Sequence, residues 1–345
     1  MKRSLCLFLL PGILIILTSG CSHRIYQVAY PTLNDGKYDS EFPYKNSSTE
    51  LQKITETVRK INAIAYYKSY IFPLEKQVTP EDLLHKDFTR LASKEIFYNN
   101  SVIGSATVIN YSRRHVVLMT CAHVVDFPDT VITYHEGTRF LQSFSLKKRQ
   151  SNFVADLPEK GELEILAIDP AQDIVLLGRR FEEVNPQLMP VFNYPFGKAK
   201  DLEWGSFVYM VGYPKGYQMI TKGIVSQPNR DKSGSFIVDA LFNKGFSGGI
   251  VLAIRDGVPN FELVGMASSV AADFEYLLYP QEDLGASSFD PHLPYQGEIF
   301  VKLNKVINYG ITFVTSAEAI LEFIKDNQSR LLEKGYDLSN LFMNQ

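Results

Sequence analysis

The sequence is poor in cysteine and tryptophan: its 345 residues include three cysteines and one tryptophan. Cys6 and Cys21 both stand at the N-terminus, and Cys121 then has no partner in the rest of the chain. We therefore expect a fold without disulfides, which excludes a small disulfide-stabilised scaffold. No stretch has the cysteine and histidine spacing of a metal site, and nothing in the sequence suggests a cofactor.

A strong net charge is also lacking. The formal charge is -3, and the densest cationic run, Lys147-Lys148-Arg149, is short enough for a solvated surface loop. Nucleic acid is therefore not an expected partner, because binding it requires many cations that neutralise phosphates. With 45% hydrophobic and 21% charged residues, the composition is that of a globular protein with a sizeable core.

The hydrophobic run at the N-terminus is too short to span a bilayer. It covers residues 5–17, is interrupted by Pro11, and follows the cations Lys2 and Arg3. A cationic start, an apolar segment and a small-residue end are typical of a secretory signal peptide. We therefore expect residues 1–20 to be a signal peptide that is removed on export.

The cysteine directly after this segment indicates a lipid anchor. The stretch TSGC, which ends at Cys21, resembles a bacterial lipobox, although Thr18 stands where leucine is usual and Leu17 comes one position early. The resemblance implies a lipidated Cys21, residues 21–48 as a membrane tether, and a location in the bacterial cell envelope. Ser22 favours the outer membrane, facing the periplasm, in a host with two membranes. An ordinary cleaved signal with a chance cysteine is the alternative.

A helical N-terminal extension is predicted over residues 49–93. Apolar residues recur at steps of three and four, as on one face of a helix, at Leu51, Ile54, Val58, Ile61 and Ala65. Ser47 or Ser48 offers an N-cap for this helix, and Thr79 with Pro80 offers the start of a second, short one. The extension either packs on the rest of the protein or provides contacts to a partner, including a second copy in a homo-oligomer.

From residue 94 the pattern changes to short β-branched and aromatic runs separated by glycine, proline, asparagine and aspartate. No comparable helical period follows until TSAEAILEFIKDN, residues 315–327. Many short strands without helices between them predict an all-β protein, either antiparallel barrels or a sandwich.

The stretch GFSGG places Ser247 between glycines, in front of the apolar run IVL. This pattern fits a simple turn, the nucleophile turn of an α/β-hydrolase, or the nucleophile loop of a chymotrypsin-type protease. The α/β-hydrolase requires parallel strands with crossover helices and a histidine after the serine, and the one histidine that follows is His292. The sequence therefore disfavours an esterase on that scaffold.

Upstream of Ser247, two residues complete a nucleophile system. His123 follows an apolar strand. Asp173 comes fifty residues after His123 and stands directly before a second apolar strand, which gives the order His, Asp, Ser of chymotrypsin-type enzymes. A serine hydroxyl needs an imidazole to accept its proton, and the imidazole needs a carboxylate to orient it. We expect His123 as general base, Asp173 as its orienting group and Ser247 as nucleophile, with the N–H groups of Gly245 and Ser247 as the oxyanion hole.

Seven stretches in order resemble the protease domain of bacterial HtrA/Deg-type trypsin-like serine proteases. They are GSATVI (104–109), TCAHVV (120–125), DPAQDIVLL (169–177), VGYP (211–214), KGIVS (222–226), DALFNKGFSGG (239–249) and INYGITFVTSAEAILEFI (307–324). The resemblance implies a chymotrypsin/trypsin-like fold of two six-stranded antiparallel β-barrels, near 95–185 and 200–315, with the site between them. The implied protease domain spans 94–325, with a C-terminal helix and a tail at 326–345.

Several features depart from that family. Phe246 replaces the small polar residue before the serine; it excludes activation by an ion pair there, and could hold the loop in an inactive shape or cover the cleft. Leu241, six residues before the serine, falls at the expected base of the specificity pocket and implies apolar side chains at the cleaved position. Insertions are expected at 135–162 and 271–298. The residues after the terminal helix are too few for a PDZ domain.

The expected function is a serine endopeptidase that hydrolyses unfolded or exposed envelope polypeptides. The alternative on the same fold is a catalytically silent binding or sensor module. Cys121, two residues before His123, is expected to be a small core side chain rather than a thiol nucleophile.

Overall fold

The computed structural model describes residues 33–112, 114–157, 161–183, 189–280 and 299–342. Within these ranges, no helix has the length and apolar character needed to cross a membrane. The predicted signal peptide and the lipidation site at Cys21 lie outside the described residues.

The first barrel is a ring of antiparallel strands. Its strands are β1 (Val58–Ile71), β2 (Lys94–Ser112), β3 (His115–Thr120), β4 (Thr130–Tyr134), β5 (Leu141–Val154), β6 (Glu162–Asp169) and β7 (Ile174–Arg180). They are arranged in the order β1-β2-β3-β7-β6-β5-β4. A further antiparallel pairing of β1 with β5 closes six of these strands into a barrel, and β4 adds to β5 outside the ring.

The predicted helical extension is wrong for most of its length. A helix, α1, covers Ser48–Thr55, and strand β1 then takes the place of the expected continuation. Ile61, Ala63, Ala65 and Tyr67 are buried in alternation, which is the two-residue period of a strand. Ile61 and Ala65, four residues apart, fit a helical spacing as well as this alternation, and Val58 fits the helical spacing alone, so the apolar pattern favoured the wrong element. The first barrel therefore begins at residue 58 rather than 95.

Two more short helices, α2 (Asp82–His85) and α3 (Phe88–Leu91), lie between β1 and β2. The helix expected to begin at Pro80, with Thr79 as its N-cap, starts two residues later, and Thr79 gives its N–H and hydroxyl to the Asp82 carboxylate. Another helix, α4 (Ala122–Val125), follows β3.

The second barrel is a closed ring of six antiparallel strands. These are β8 (Phe207–Gly212), β9 (Met219–Gln227), β10 (Phe236–Asp239), β11 (Ile250–Ile254), β12 (Phe261–Pro280) and β13 (Ile299–Ser316), in the order β10-β13-β12-β11-β8-β9. All five residues of β11 are buried, in agreement with the apolar run after Ser247. The predicted fold of two six-stranded antiparallel barrels is confirmed.

The segment after β13 forms the predicted C-terminal helix and then continues to pack. Helix α5 (Ala317–Asp326) follows its N-cap residue Ser316, whose hydroxyl accepts a hydrogen bond from the Ala319 N–H. A short helix, α6 (Gln328–Glu333), follows, and the buried Tyr336 donates its hydroxyl to Glu164 of the first barrel at 2.9 Å. The predicted tail therefore packs on the first barrel over much of its length.

Residues 33–47, predicted as part of a tether, lie against the second barrel. Tyr38 is buried, its hydroxyl donates to the Glu262 carboxylate, and the Arg255 guanidinium lies 4.0 Å from the centre of its ring. The Asp39 N–H donates to the carbonyl of Ile254 on β11. Any free tether to an anchor at Cys21 must therefore end before Tyr38.

The two predicted insertions have different structures. Half of 135–162 is β5, a strand of the first barrel itself, and it pairs with both β1 and β4. At 271–298, strands β12 and β13 extend as a paired hairpin as far as Pro280 and Ile299, and residues 281–298 lie outside the described part of the chain.

Candidate active site

Helix α4 presents the His123 side chain at the end of β3. Ala122, Val124 and Val125 of this helix are buried and fix its position on the first barrel. The remaining helical residue, His123, points its imidazole outward, with 46% of the side chain exposed. One turn of helix, anchored on three sides, therefore holds an accessible imidazole in a defined place.

Asp173 lies in the turn between β6 and β7, with φ of 58°. Aspartate is one of the few residues with a side chain that adopts this left-handed conformation readily. Its carboxylate oxygens lie 2.8 and 3.0 Å from His123 Nδ1, and Oδ1 also accepts the His123 backbone N–H at 2.9 Å. Since an ionised carboxylate only accepts hydrogen bonds, it favours the tautomer that carries its proton on Nδ1.

Ser247 completes a hydrogen-bonded chain across the two barrels. Its Oγ lies 2.9 Å from His123 Nε2, the nitrogen that the Asp173 contact leaves as an acceptor. The hydroxyl also lies 3.3 Å from the carbonyl of Ser268 on β12. The two barrels, which different parts of the chain form, thus bring together the three residues that the sequence predicted for this site.

Two carbonyl groups in the loop that carries Ser247 accept hydrogen bonds from backbone N–H groups. The Lys244 carbonyl accepts the Lys215 N–H at 2.7 Å, and the Phe246 carbonyl accepts the Gly249 N–H at 2.7 Å. In a trans peptide the N–H points opposite to the C=O, so the N–H groups of residues 245 and 247 point away from these two anchors. Among the described residues, no acceptor takes a hydrogen bond from either N–H.

Glycine is required at two positions of this loop. Gly245 has φ of +103°, and a β-carbon there would lie 2.3 Å from the carbonyl oxygen of Tyr213. Gly248 has φ of +84°, and a β-carbon would lie 2.1 Å from the carbonyl oxygen of Ser105. Both positions combine a left-handed backbone with a closely packed neighbour, so another residue would distort the loop.

Phe246 points into the second barrel. It is 1% exposed and packs near Phe242, with 5.9 Å between the ring centres. Of the two roles considered for this bulky residue, covering the cleft is therefore wrong. The aromatic ring instead anchors the nucleophile loop in the core of the second barrel, and its burial fixes the loop between Gly245 and Gly248.

Ser105 on β2 is the residue at this site that the sequence analysis missed. It is fully buried, and its hydroxyl donates to the Gly245 carbonyl at 2.7 Å. The stretch GSATVI that contains it was noted as a family-like motif, but nothing in the sequence connects its serine with a loop 140 residues away.

Leu241 does not form the base of an enclosed pocket. Its side chain is 63% exposed, which is inconsistent with a residue at the bottom of a specificity pocket. A cavity of about 510 Å³ lies instead beside Asp173 and is lined mainly by polar residues, among them Gln172, Arg230, Asp231 and Ser269. Burial disfavours the Asp231 charge, but hydrogen bonds from Ser233 and Ser235 lower the pKa of this carboxyl to about 2.

Cys121 is buried beside the group formed by Asp173, His123 and Ser247. Its thiol is fully buried and points at the carbonyl of Ala267 at 3.4 Å. Burial, together with the negative charge of Asp173, raises the pKa of this thiol well above its ordinary value, so it stays protonated. The side-chain atoms of Cys121, His123 and Asp173 that could bind a metal ion lie within 4.8 Å of one another. Both carboxylate oxygens of Asp173, however, already contact His123 Nδ1.

The comparison with family models agrees with this arrangement. Residues 104–266 match the family model of the trypsin-like peptidase domain, a range that contains all three residues of the hydrogen-bonded chain. Among solved structures, the crystal structure of Deg5 matches with 19% identity and a TM-score of 0.35, over 64% of this chain and 83% of that one. No curated protein matches the sequence.

Proposed function

Residues 104–266 match the trypsin-like peptidase domain, and on that premise we propose that the protein is a serine endopeptidase of the HtrA/Deg type. In this proposal Ser247 is the nucleophile, His123 the general base and acid, and Asp173 the orienting carboxylate. The observation that carries it is the continuous hydrogen-bonded chain from Asp173 through His123 to Ser247, with contacts of 2.8 and 2.9 Å.

In acylation, Ser247, His123 and Asp173 each have a distinct role. His123 Nε2 accepts the Ser247 proton as Oγ attacks the carbonyl carbon of the substrate peptide. The developing oxyanion accepts hydrogen bonds from the N–H groups of Gly245 and Ser247, a contribution of about 2.7–4 kcal/mol per donor in such sites. The imidazolium, which Asp173 stabilises, then gives its proton to the leaving amine as the carbon–nitrogen bond breaks.

Deacylation repeats these proton transfers with water as the nucleophile. His123 Nε2 takes a proton from the water as its oxygen attacks the acyl carbonyl, and the same two N–H groups receive the oxyanion. The imidazolium then returns the proton to Ser247 Oγ as the ester bond breaks. The carboxylic acid product leaves, and the hydroxyl and the neutral imidazole are restored.

The two alternatives are less well supported. The α/β-hydrolase interpretation is wrong because every strand pair within the two barrels is antiparallel. His292, the histidine that such an enzyme would need, lies outside the described residues. Against a silent binding module, the N–H groups of Gly245 and Ser247 have no internal acceptor among the described residues and stay available to an oxyanion.

The proposed substrates are unfolded or exposed polypeptides of the bacterial envelope, reached by an enzyme anchored through a lipid on Cys21. In a host with two membranes the anchor would lie in the outer membrane, facing the periplasm. The N-terminal segment and the lipobox-like TSGC support this location. Metabolic labelling with a clickable palmitate analogue tests it: Cys21→Ser should lose the label, and Cys121→Ser, a buried thiol in the fold, should keep it.

Digestion of an unfolded protein tests the activity. The full chain should cleave casein into peptides, Ser247→Ala should leave it intact, and Ser101→Ala, which changes an exposed serine on β2, should cleave like the wild type. If the wild type cleaves neither casein nor a peptide library while remaining folded, the endopeptidase proposal is wrong and a silent module becomes the better account.

A further inference from the structure

Ser105 lies on β2 of the first barrel, yet its polar groups serve the nucleophile loop of the second. The residue is fully buried, so its donors and acceptors can find partners only within the protein. Its neighbour two positions along the strand, Thr107, is equally buried, and its hydroxyl has no hydrogen-bond partner in the described part of the chain. The two hydroxyls therefore differ in their hydrogen bonding, although both are buried and lie on the same strand.

Every polar group of Ser105 is engaged. Its Oγ donates to the Gly245 carbonyl at 2.7 Å and accepts the Tyr213 N–H at 2.8 Å. Its backbone N–H donates to the Ser247 carbonyl at 2.8 Å, and its own carbonyl accepts the Thr120 hydroxyl at 2.6 Å. A serine hydroxyl has a single hydrogen, and here the Tyr213 donor and the Gly245 acceptor fix where that hydrogen points.

These bonds act on the part of the loop that is easiest to rotate. Gly245 is free of the steric limits that other residues have, so the peptides on either side of it can turn at low energetic cost. Such a rotation would replace an N–H by a carbonyl at the position that faces the reacting oxygen. The Lys215 N–H holds the peptide before Gly245, and the Ser105 hydroxyl holds the peptide after it.

Ser105 also links the two halves of the site. Thr120, three residues before His123, donates to the Ser105 carbonyl, and the Ser105 N–H donates to the Ser247 carbonyl. One buried residue thus connects the strand that leads to the imidazole with the residue that carries the hydroxyl. A shift of the loop by about 1 Å would lengthen the contact between Oγ and Nε2 and lower the rate about a hundredfold.

We propose that Ser105 is a positioning residue for catalysis: by holding the Gly245 carbonyl, its hydroxyl restrains rotation of the backbone at Gly245 and so preserves the orientation of the Gly245 N–H that the Lys215 contact sets. This inference rests on the proposed endopeptidase activity. It adds that the oxyanion hole is built before substrate binds, through a hydroxyl from the opposite barrel. The hole then requires no activating ion pair at the position that Phe246 occupies.

The test separates binding of the transition state from binding of the substrate. In the full chain, Ser105→Ala should lower kcat about ten- to hundredfold and leave KM within about twofold, because the loss of one oriented oxyanion donor affects the transition state. The affinity for a peptide boronate, which forms an oxyanion-like adduct, should fall by the same factor as kcat. Thr107→Val is the matched control and should leave both quantities unchanged.

Each outcome decides the inference. If the wild type and Ser105→Ala have the same kcat and the same boronate affinity, Ser105 does not position the loop. If Ser105→Ala loses activity only because KM rises, its role is structural and the inference is wrong. A wild type without peptidase activity would instead contradict the proposed function itself.

A second variant covers the case in which Ser105→Ala fails to fold. Ser105→Cys, studied under reducing conditions, keeps a similar volume and a weak donor in place of a strong one. We expect kcat for this variant several-fold below the wild type, with KM unchanged. A Ser105→Cys protein with the wild-type kcat would overturn the proposal.

Discussion

The Lys215 N–H donates a 2.7 Å hydrogen bond to the Lys244 carbonyl, and this bond sets the direction of the next N–H, that of Gly245. The same logic applies two residues later, where the Gly249 N–H holds the Phe246 carbonyl. The two donors proposed for the oxyanion are therefore oriented by backbone contacts before any substrate arrives. Pre-orientation of this kind is the main source of electrostatic stabilisation in acyl-transfer sites.

Asp173→Asn should lower kcat for peptide hydrolysis by about four orders of magnitude. The asparagine amide can present an N–H to His123 Nδ1 and so favour the tautomer with its proton on Nε2, which cannot accept from Ser247. The control is Asp169→Asn at the end of β6, just before the same turn, where the carboxylate accepts the N–H groups of Ala171 and Gln172. Steady-state kinetics on a peptide substrate check both variants; an Asp173→Asn enzyme with more than a tenth of the wild-type kcat would contradict the assigned role.

Gly245→Ala should inactivate the enzyme without unfolding it. A β-carbon at this position would meet the Tyr213 carbonyl, and the backbone angle disfavours any side chain, so the loop must shift. Gly205→Ala is the control, because Gly205 has a similar φ of +87° but open space around the position of a β-carbon. Activity should fall at least a hundredfold in the first variant and stay within about threefold in the second. Equal activities in the two variants would show that the close contact at Gly245 is unimportant.

Phe246→Ala should lower the free energy of unfolding by about 3–5 kcal/mol, since it removes a fully buried ring from the second barrel. Phe97→Ala, which truncates a ring that is 76% exposed, should change the same quantity by less than about 0.5 kcal/mol. Denaturant unfolding followed by fluorescence measures both values. A Phe246→Ala protein as stable as Phe97→Ala would mean that the ring does not anchor the loop.

The buried carboxyl of Asp39 should make stability depend on pH. Burial, with the nearby acids Glu41, Asp256 and Asp35, raises its pKa to about 6 despite a hydrogen bond from Gly257. The folded state thus binds this proton more tightly than the unfolded state, in which the pKa is near 3.8. The free energy of unfolding should therefore fall as pH rises from about 4 to about 6, by up to about 3 kcal/mol, and then stay low.

Asp39→Asn isolates this contribution. The amide oxygen can still accept the Gly257 N–H, and no charge has to be buried above pH 6. The variant should therefore be more stable than the wild type at pH 7 and lose the decrease between pH 4 and pH 6. Glu75→Gln, at an exposed position, should leave the pH dependence as it is. Thermal unfolding at several pH values makes the comparison; an unchanged profile in Asp39→Asn would refute the assignment to this carboxyl.

The sequence predicted the parts of the fold whose signals are local. Short alternating runs such as HVVLMT became strands, and the motifs around His123, Asp173 and Ser247 became three neighbouring side chains. Strand β1 was missed because Ile61 and Ala65, four residues apart, fit the spacing of a helix as well as that of a strand. What decides between them is the pairing of β1 with β2 and β5, which a single segment does not contain.

The finer structure of the site depends on contacts between distant residues. Ser105 is an ordinary strand serine until the second barrel brings the Gly245 carbonyl to its hydroxyl. Phe246 suggested an obstruction because the sequence does not say to which side of the loop its ring turns. Leu241 was placed at a pocket base by counting from the serine, but the backbone leaves its side chain exposed.

Reaction with a fluorophosphonate probe, followed by mass spectrometry of the labelled peptide, tests the central claim most directly. The probe bonds covalently only to a serine whose hydroxyl is activated by a neighbouring base. The account predicts stoichiometric labelling of the folded full chain at Ser247, and none in the Ser247→Ala or His123→Ala variants. A folded protein that stays unlabelled, or that is labelled at another serine, would contradict it.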